Sequence, residues 1–389
     1  MRPLARLAFL TALVGAGLRI DFVLGAASMM ALMLVYVAVV PRTVARRVEV
    51  GRVAPRRVLW GETIDLTITA HNRGWLPATW VSVVDPVPFD LGTVTTRWVT
   101  SLGPGETKTM ARTLEARRRG LYRLGPGVVA TGDVFGLRRV RAEDVPAVDT
   151  VVYPKIVPVG TAKLPASSPN ATLPVRRALT EDPARVVGVR DYVTGDPLRK
   201  VHWTATARVG RLQVKQFQPG IERSTVICLD LSRTSFPRSQ RRAGSELAVT
   251  AAASLCFHGI TVERLAVGLR IVGWDPVVGG DVACRIPART DAGHLIPLLE
   301  TLARVRPARE AGLRGLLDPS DLGFGTTVVF ITGELDEERV TALVRLRRAG
   351  ARPAVVQISP SGETSPWAAS LLRFRIPVRS VRREADLRW

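Results

Sequence analysis

Residues 224–234 read Ser-Thr-Val-Ile-Cys-Leu-Asp-Leu-Ser-Arg-Thr. An apolar run that ends in a carboxylate and two hydroxyls is the pattern of a strand buried on both faces, with a polar loop at its carboxyl end. Working downstream, Gly244 to His258 reads as a helix, Arg264 to Val272 as a strand, Ala292 to Val305 as a helix and Thr326 to Thr332 as a strand. Asp336 to Ala349 is a further helix and Pro353 to Ile358 a further strand. Strands alternating with helices predict a parallel, doubly wound sheet whose sites lie at the carboxyl ends of its strands. Residues 224–389 are therefore expected to form one α/β domain of a multi-domain chain of 389 residues.

Upstream, residues 161–223 are expected to be a linker and a dense motif. Residues 188–208 read Gly-Val-Arg-Asp-Tyr-Val-Thr-Gly-Asp-Pro-Leu-Arg-Lys-Val-His-Trp-Thr-Ala-Thr-Ala-Arg. Gly195-Asp196-Pro197 is a turn signal, and Pro197 to Arg208 is predicted to be a short helix with Asp196 at its N-cap. On such a helix Arg199, Trp203 and Thr206 lie on adjoining turns. Arg190, Asp191, Asp196, Arg199 and Arg208 are then placed to form an ion-pair network.

Residues 43–160 carry short alternating runs, such as Ile64 to Ala70, broken by turn signals at Asn72-Arg73-Gly74 and Gly103-Pro104-Gly105. A small β-sandwich is expected. Trp60, Trp75, Trp80 and Trp98 are assigned to its core, and Asp133 to bonding its own backbone in the bend Asp133-Val134-Phe135-Gly136-Leu137.

Residues 1–42 read as a transmembrane hairpin. Phe22 to Val40 is 19 residues without a charge, enough to cross about 30 Å of hydrocarbon. The run before it, Leu7 to Leu18, spans the bilayer only when extended to Leu4 to Ile20, with Arg6 and Arg19 snorkelling to opposite interfaces. A signal peptide is the rival, but the second apolar run leaves no room for a polar mature start. Arg2 and Arg6 before the hairpin and Arg42, Arg46 and Arg47 after it place both ends inside. The expected location is the inner (cytoplasmic) membrane, with the domains in the cytoplasm and the lipid bilayer as one partner.

The net charge of +21 is carried mostly by arginine, with only five lysines. Alongside abundant Ala, Val, Gly and Pro this points to a GC-rich genome and a solvated, arginine-rich surface; an anionic membrane ranks next, ahead of nucleic acid, for which no motif is present. Cys228, Cys256 and Cys284 form no CxxC and sit in apolar stretches, as reduced core thiols do.

The segment Gly188 to Arg208 matches every defined position of G-x-R-[DE]-Y-x-x-G-D-x-x-R-x-[IV]-x-W-x-x-[ST]-A-R, and so resembles the signature of the bacterial domain of unknown function 58. Asp133 to Leu137 is similar to that family's D-P-F-G-L, with Val134 in place of Pro. The resemblance implies a von Willebrand factor A-like fold for the α/β domain, no established enzymatic activity, and a MoxR-type AAA+ ATPase as a partner. On this reading Gly188, Arg190, Asp191, Tyr192, Gly195, Asp196, Arg199, Trp203 and Arg208 are partner-binding or structural residues. Asp230-Leu231-Ser232-Arg233-Thr234 resembles the D-x-S-x-S element of a metal-ion-dependent adhesion site, which would make Asp230, Ser232 and Thr234 ligands of Mg²⁺. The expected Thr-Asp-Gly after the later strand is Thr332-Gly333-Glu334 here, so the site is incomplete unless Glu334 or Asp336 substitutes.

The expected function is a membrane-anchored, non-catalytic scaffold or adaptor that binds a cytoplasmic partner through the α/β domain and the signature. The alternatives are a hydrolase using His202 with Asp196, and an arginine-mediated nucleic-acid binder. With only four histidines and no G-x-S-x-G, H-E-x-x-H or G-x-x-x-x-G-K-[ST], the sequence gives little to the first.

Overall fold

The computed structural model describes residues 6–7, 9–14, 21–92, 95–160, 181–219, 224–310, 312–313, 315–322, 325–363 and 365–388. The chain divides into two compact units, Met1–Lys155 with Leu299–Arg304, and Ile156–Leu298 with Val305–Trp389.

In the first unit, residues 6–7 and 9–14 are helical, and α1 (Asp21–Ala45) contains the whole uncharged run. At 25 residues it is long and apolar enough to cross a membrane. The rest of the expected hairpin, including Arg19, lies outside the described residues. Ten strands follow: β1 (Val48–Val53), β2 (Arg57–Val58), β3 (Thr63–Asn72), β4 (Ala78–Asp85), β5 (Thr96–Leu102), β6 (Thr107–Glu115), β7 (Gly120–Leu124), β8 (Val128–Gly132), β9 (Arg139–Arg141) and β10 (Val148–Val152). They form sheets in the orders β1-β3-β6, β5-β4-β8-β9 and β2-β10-β7.

The alternation read in the sequence decides the packing. Ile68 and Ala70 of β3, with Val48 and Val50 of β1, meet Val81, Val83, Leu102 and Val129 in one apolar cluster. Val44, from the last turn of α1, joins the same cluster, and Val37 and Ala45 are buried too. The Tyr36 ring of α1 stands edge-on to Phe135, with centroids 6.4 Å apart.

Asp133 is buried and shapes its bend as expected: one carboxylate oxygen accepts from the amides of Phe135 (2.8 Å) and Leu137 (3.1 Å), the other from Arg138 (2.5 Å). The tryptophans correct the reading. Trp98 packs against the core, but Trp75 is 80% exposed and Trp60 41%, and Trp80 is half-buried with its indole N–H on the Asp133 carbonyl at 3.1 Å. Aliphatic residues, with Tyr122 and the edge of Trp98, fill the sandwich, and Trp60 instead carries the Lys155 ammonium 4.5 Å from its centroid.

A buried ion pair ties the sandwich together. Arg52 of β1 donates to Asp85 at the end of β4 and to the carbonyl of Leu124, and reaches that of Pro146 at 3.2 Å. Gly125, at φ +89°, leaves the space this guanidinium occupies; a Cβ there would overlap it. Burial draws the Arg52 pKa down and pushes the Asp85 carboxyl up, and their mutual attraction opposes both shifts.

The second unit begins with β11 (Glu181–Asp191), a 3₁₀ turn (Leu198–Lys200), α2 (Trp203–Val209) and β12 (Gln213–Pro219). There follow β13 (Ser224–Asp230), α3 (Arg241–Phe257), β14 (Ala266–Asp275), β15 (Gly280–Arg289), α4 (Leu295–Arg304), β16 (Thr327–Thr332), α5 (Glu337–Arg348), β17 (Arg352–Ile358), α6 (Trp367–Arg373) and β18 (Val378–Val381). Part of α4 groups with the first unit.

The six-stranded sheet has the order β15-β14-β13-β16-β17-β18. All neighbours are parallel except β14 and β15, an antiparallel hairpin that the strand–helix alternation did not predict. The helix α3, continued by a π turn to Val262, is also long and apolar, but it is mostly buried, as a core helix is. Burial pushes the Cys228 and Cys256 thiols up to about 12.

Replacing Asp85 by Ala strands a buried guanidinium. This is expected to cost about 3–5 kcal/mol, whereas the pair Arg52→Leu with Asp85→Ala costs less. Urea unfolding of both variants followed by tryptophan fluorescence checks the difference.

Candidate functional site

Two places bring the singled-out residues together. The first is the signature, built on the antiparallel pair β11–β12, with Gly188 opposite Gln216 and Asp191 opposite Gln213. Beyond β11 the chain turns at Val193 to Asp196, with Gly195 at φ +110°. Only a residue without a Cβ takes that conformation without strain.

Arg190 grips Asp196 with both ends of its fork, each N–O distance being 2.7 Å, and the Val193 amide donates to the same carboxylate at 3.0 Å. The Gln213 side-chain amide donates to Asp191, and the Gln213 backbone N–H donates to the Thr206 hydroxyl at 3.0 Å. Tyr192 is half-buried and its amide donates to the Leu212 carbonyl at 2.9 Å. Val201 and Val214, bridged across the segment, are its buried apolar centre.

Two expectations are corrected. Asp196 does not cap the helix, because Pro197 is extended and the chain makes a separate 3₁₀ turn before α2 starts. The cap is His202, whose Nδ1 accepts from the Ala205 amide at 3.1 Å. The ion-pair network is also smaller than expected: Arg190–Asp196 forms, Arg211 stands 4.0 Å from Asp191, and Arg199 and Arg208 have no ion-pair partner among the described residues. Gly188 lies in β11 with open space for a Cβ at ordinary contact distance.

The bracing holds several large apolar side chains out to solvent, among the exposed Arg199, Thr204, Arg208 and Arg211. Trp203 is 67% exposed and Leu198 65%, with Val193, Val209 and Leu212 exposed around them. His202 and Asp196, the pair a hydrolase would use, are not hydrogen-bonded to each other among the described residues; each is committed to backbone or to Arg190.

The second place is the switch point of the sheet. From β13 the winding runs one way to β14 and the other way to β16, so the carboxyl ends of β13 and β16 meet at the switch point, the position where such folds commonly hold ligands. Asp230 ends β13 and is fully buried. Its Oδ1 accepts from the Ser232 amide at 2.9 Å. Its Oδ2 accepts from the Thr332 hydroxyl at 3.3 Å and from Arg339 Nε at 2.8 Å.

Arg339 Nη2 donates to Ser232 Oγ (3.0 Å) and Thr234 Oγ1 (3.1 Å), and Nη1 to Asp336. Asp230, Ser232 and Thr234 thus converge, and the group at their centre is the Arg339 guanidinium, 1% exposed. Asp336 joins through Arg339, while Glu334 is exposed and places only its carbonyl on Thr332. Gly333 lets Ser235 and Phe236 close against the loop, since a Cβ would overlap both.

Arg339 was not singled out in the sequence. A signal was there: it stands in the first turn of α5, three residues after its cap Asp336, where the helix dipole disfavours a cation.

Residues 188–361 match the model of the family described as Protein of unknown function DUF58. Two mycobacterial proteins, Uncharacterized protein Rv1480 of Mycobacterium tuberculosis and Uncharacterized protein Mb1516 of Mycobacterium bovis, are each 32% identical over 126 residues. The match covers 32% of this chain and 37% of each relative. Among solved structures, the CARDB domain of the PF1109 protein from Pyrococcus furiosus is 19% identical over 27% of this chain and 86% of that one, at a TM-score of 0.22. A likeness that low carries no functional information.

The Asp196 carboxyl is held down at about 2, first by the Arg190 hydrogen bonds and then by the Val193 amide. Since this lies below the ordinary value near ~3.9, the ionised carboxylate stabilises the segment above that value, and the contribution is lost as pH falls through about 2. In a carbon-detected NMR titration Asp196 is expected to titrate near 2, and in Arg190→Ala to move back toward the ordinary range.

Proposed function

We propose that the chain is a membrane-anchored scaffold whose signature segment is a preformed docking surface for a cytoplasmic protein. The observation that carries this reading is the exposure of Trp203 and Leu198 on a segment fixed by Arg190–Asp196, Asp191–Gln213 and the His202 cap. Exposed apolar side chains on a rigid frame with a polar rim are what a protein interface presents before binding. Because the frame is already set, little conformational freedom is lost on docking.

The remaining elements agree. The apolar helix α1, with Arg42 in its last turn and Arg46 and Arg47 after it, supports an inner-membrane anchor with the domains on the cytoplasmic side. The doubly wound sheet with a hydroxyl-bearing loop at its switch point supports a von Willebrand factor A-like reading. The family resemblance supplies the partner's class, a MoxR-type AAA+ ATPase. That His202 and Asp196 are each committed elsewhere supports a non-catalytic role.

Trp203→Ala is expected to weaken association with the ATPase encoded nearest the gene by about thirtyfold, the effect of losing an interface anchor worth ~2 kcal/mol. Leu198→Ser is expected to act in the same direction. Both positions are exposed, so the thermal midpoint should hold. Sedimentation of the ATPase with wild type and variants measures this; equal co-sedimentation, or none with wild type, counts against the reading.

A further inference from the structure

The switch-point cluster does not fit the divalent ion that its resemblance to an adhesion-type site implies. Such a site uses a carboxylate and hydroxyls as oxygen ligands and keeps a position open for an outside group. Here the carboxylate of Asp230 and the hydroxyls of Ser232 and Thr234 already accept hydrogen bonds from one guanidinium, at 2.8, 3.0 and 3.1 Å.

The donors are nearly used up. Arg339 gives Nε–H to Asp230, an Nη1–H to Asp336 and both Nη2–H groups to the two hydroxyls, four of the five that an arginine carries. Its backbone amide is also fixed, on Asp336 Oδ1 at 2.9 Å. A dication at the same oxygens would sit within hydrogen-bonding reach of a like charge that cannot be deprotonated in a protein. Among the described residues, no other cluster of three or more His, Cys, Asp and Glu side chains is placed to hold a metal.

We infer that this site carries its own cation: the Arg339 guanidinium stands where an adhesion-type site holds its divalent ion, and the wild-type domain is closed to metal. The arrangement keeps the sign of a metal-filled site, a positive charge against a buried aspartate and two hydroxyls, with one unit of charge in place of two. It gives up exchange, because the cation is covalently part of α5. It also gives up the open position, because Arg339 is buried and its remaining contacts, Thr234 and Asp336, are supplied by the chain itself. An acidic side chain of a partner therefore finds no bridging ion here. This inference stands apart from the docking role of the signature and does not require it.

The test uses the full chain in detergent micelles and Mn²⁺ or Mg²⁺ as probes. For wild type, the free-Mn²⁺ electron paramagnetic resonance signal is expected to fall no more than in Asp230→Asn, and the thermal midpoint to be unmoved by millimolar Mg²⁺ or by chelator. A saturable site would raise that midpoint by several degrees. In Arg339→Ser the guanidinium is gone and Asp230, Ser232, Thr234 and Thr332 face the space it filled. That variant is expected to melt lower, and to recover in Mg²⁺ while binding about one equivalent of Mn²⁺. Two results overturn the inference. One is saturable, stoichiometric Mn²⁺ uptake by wild type together with a rise of its thermal midpoint in Mg²⁺; this arm is read on wild type alone and decides the matter even if neither Asp230→Asn nor Arg339→Ser folds. The other is a folded Arg339→Ser that stays inert to both ions.

Discussion

The carboxylate of Asp230 lies at the carboxyl end of the central strand, out of contact with water. A buried charge of this kind is costly unless it is paired and hydrogen-bonded, and the surrounding elements are arranged to meet that demand. The counter-charge comes from Arg339, 109 residues further along, on the helix that follows β16. Meeting it requires β13 and β16 to be neighbours in register, the loop after β13 to turn its hydroxyls inward, and α5 to begin where Asp336 can cap it. A hydrophobic core alone would tolerate α5 sliding along the sheet. One fully satisfied ion pair in the middle of it does not.

The signature segment uses the same chemistry at the surface with the opposite outcome. There, Arg190 and Asp196 are spent on holding a turn, and Leu198 and Trp203 are left to solvent beside the exposed Arg199 and Arg208. Arg190, Asp191, Asp196 and Gln213 satisfy one another within the segment, and the large apolar groups beside them are the ones that would gain most by leaving water. The two clusters differ in placement: one is buried at the centre of the α/β sheet, the other braces a turn at the surface.

How much of this was legible in the sequence depends on the range of the interaction. The strand ending at Asp230 was readable because burial on both faces leaves an unbroken apolar run. The Asp133 bend was readable because an aspartate bonding amides two to five residues ahead is a local event. The edge strand β15 was not, since its alternating exposure resembles no buried strand and it follows β14 through a tight turn at Gly279 rather than through a helix. The Asp196 cap was misplaced because the pattern Gly-Asp-Pro fits a helix start as well as it fits the turn that Arg190 closes. Trp60 and Trp75 were assigned to the core by residue type, yet aliphatic residues, with Tyr122 and the edge of Trp98, had filled it. Arg339 escaped because Asp230, Ser232 and Thr234 lie about a hundred residues away; only its position against the helix dipole betrayed it.

The last turns of α1 are part of the β-sandwich core, and the Tyr36 ring is set against Phe135 above them. Between the apolar helix and the sandwich there is thus no swivel: Val44 and Ala45 are already packed when β1 starts at Val48. For a helix that crosses a bilayer, tilt follows the local thickness of the hydrocarbon. On the proposed reading of α1 as a membrane span, such a tilt would pass directly to the sandwich, because the end of the helix is built into the sandwich core, and the lean of the one would set the heading of the other.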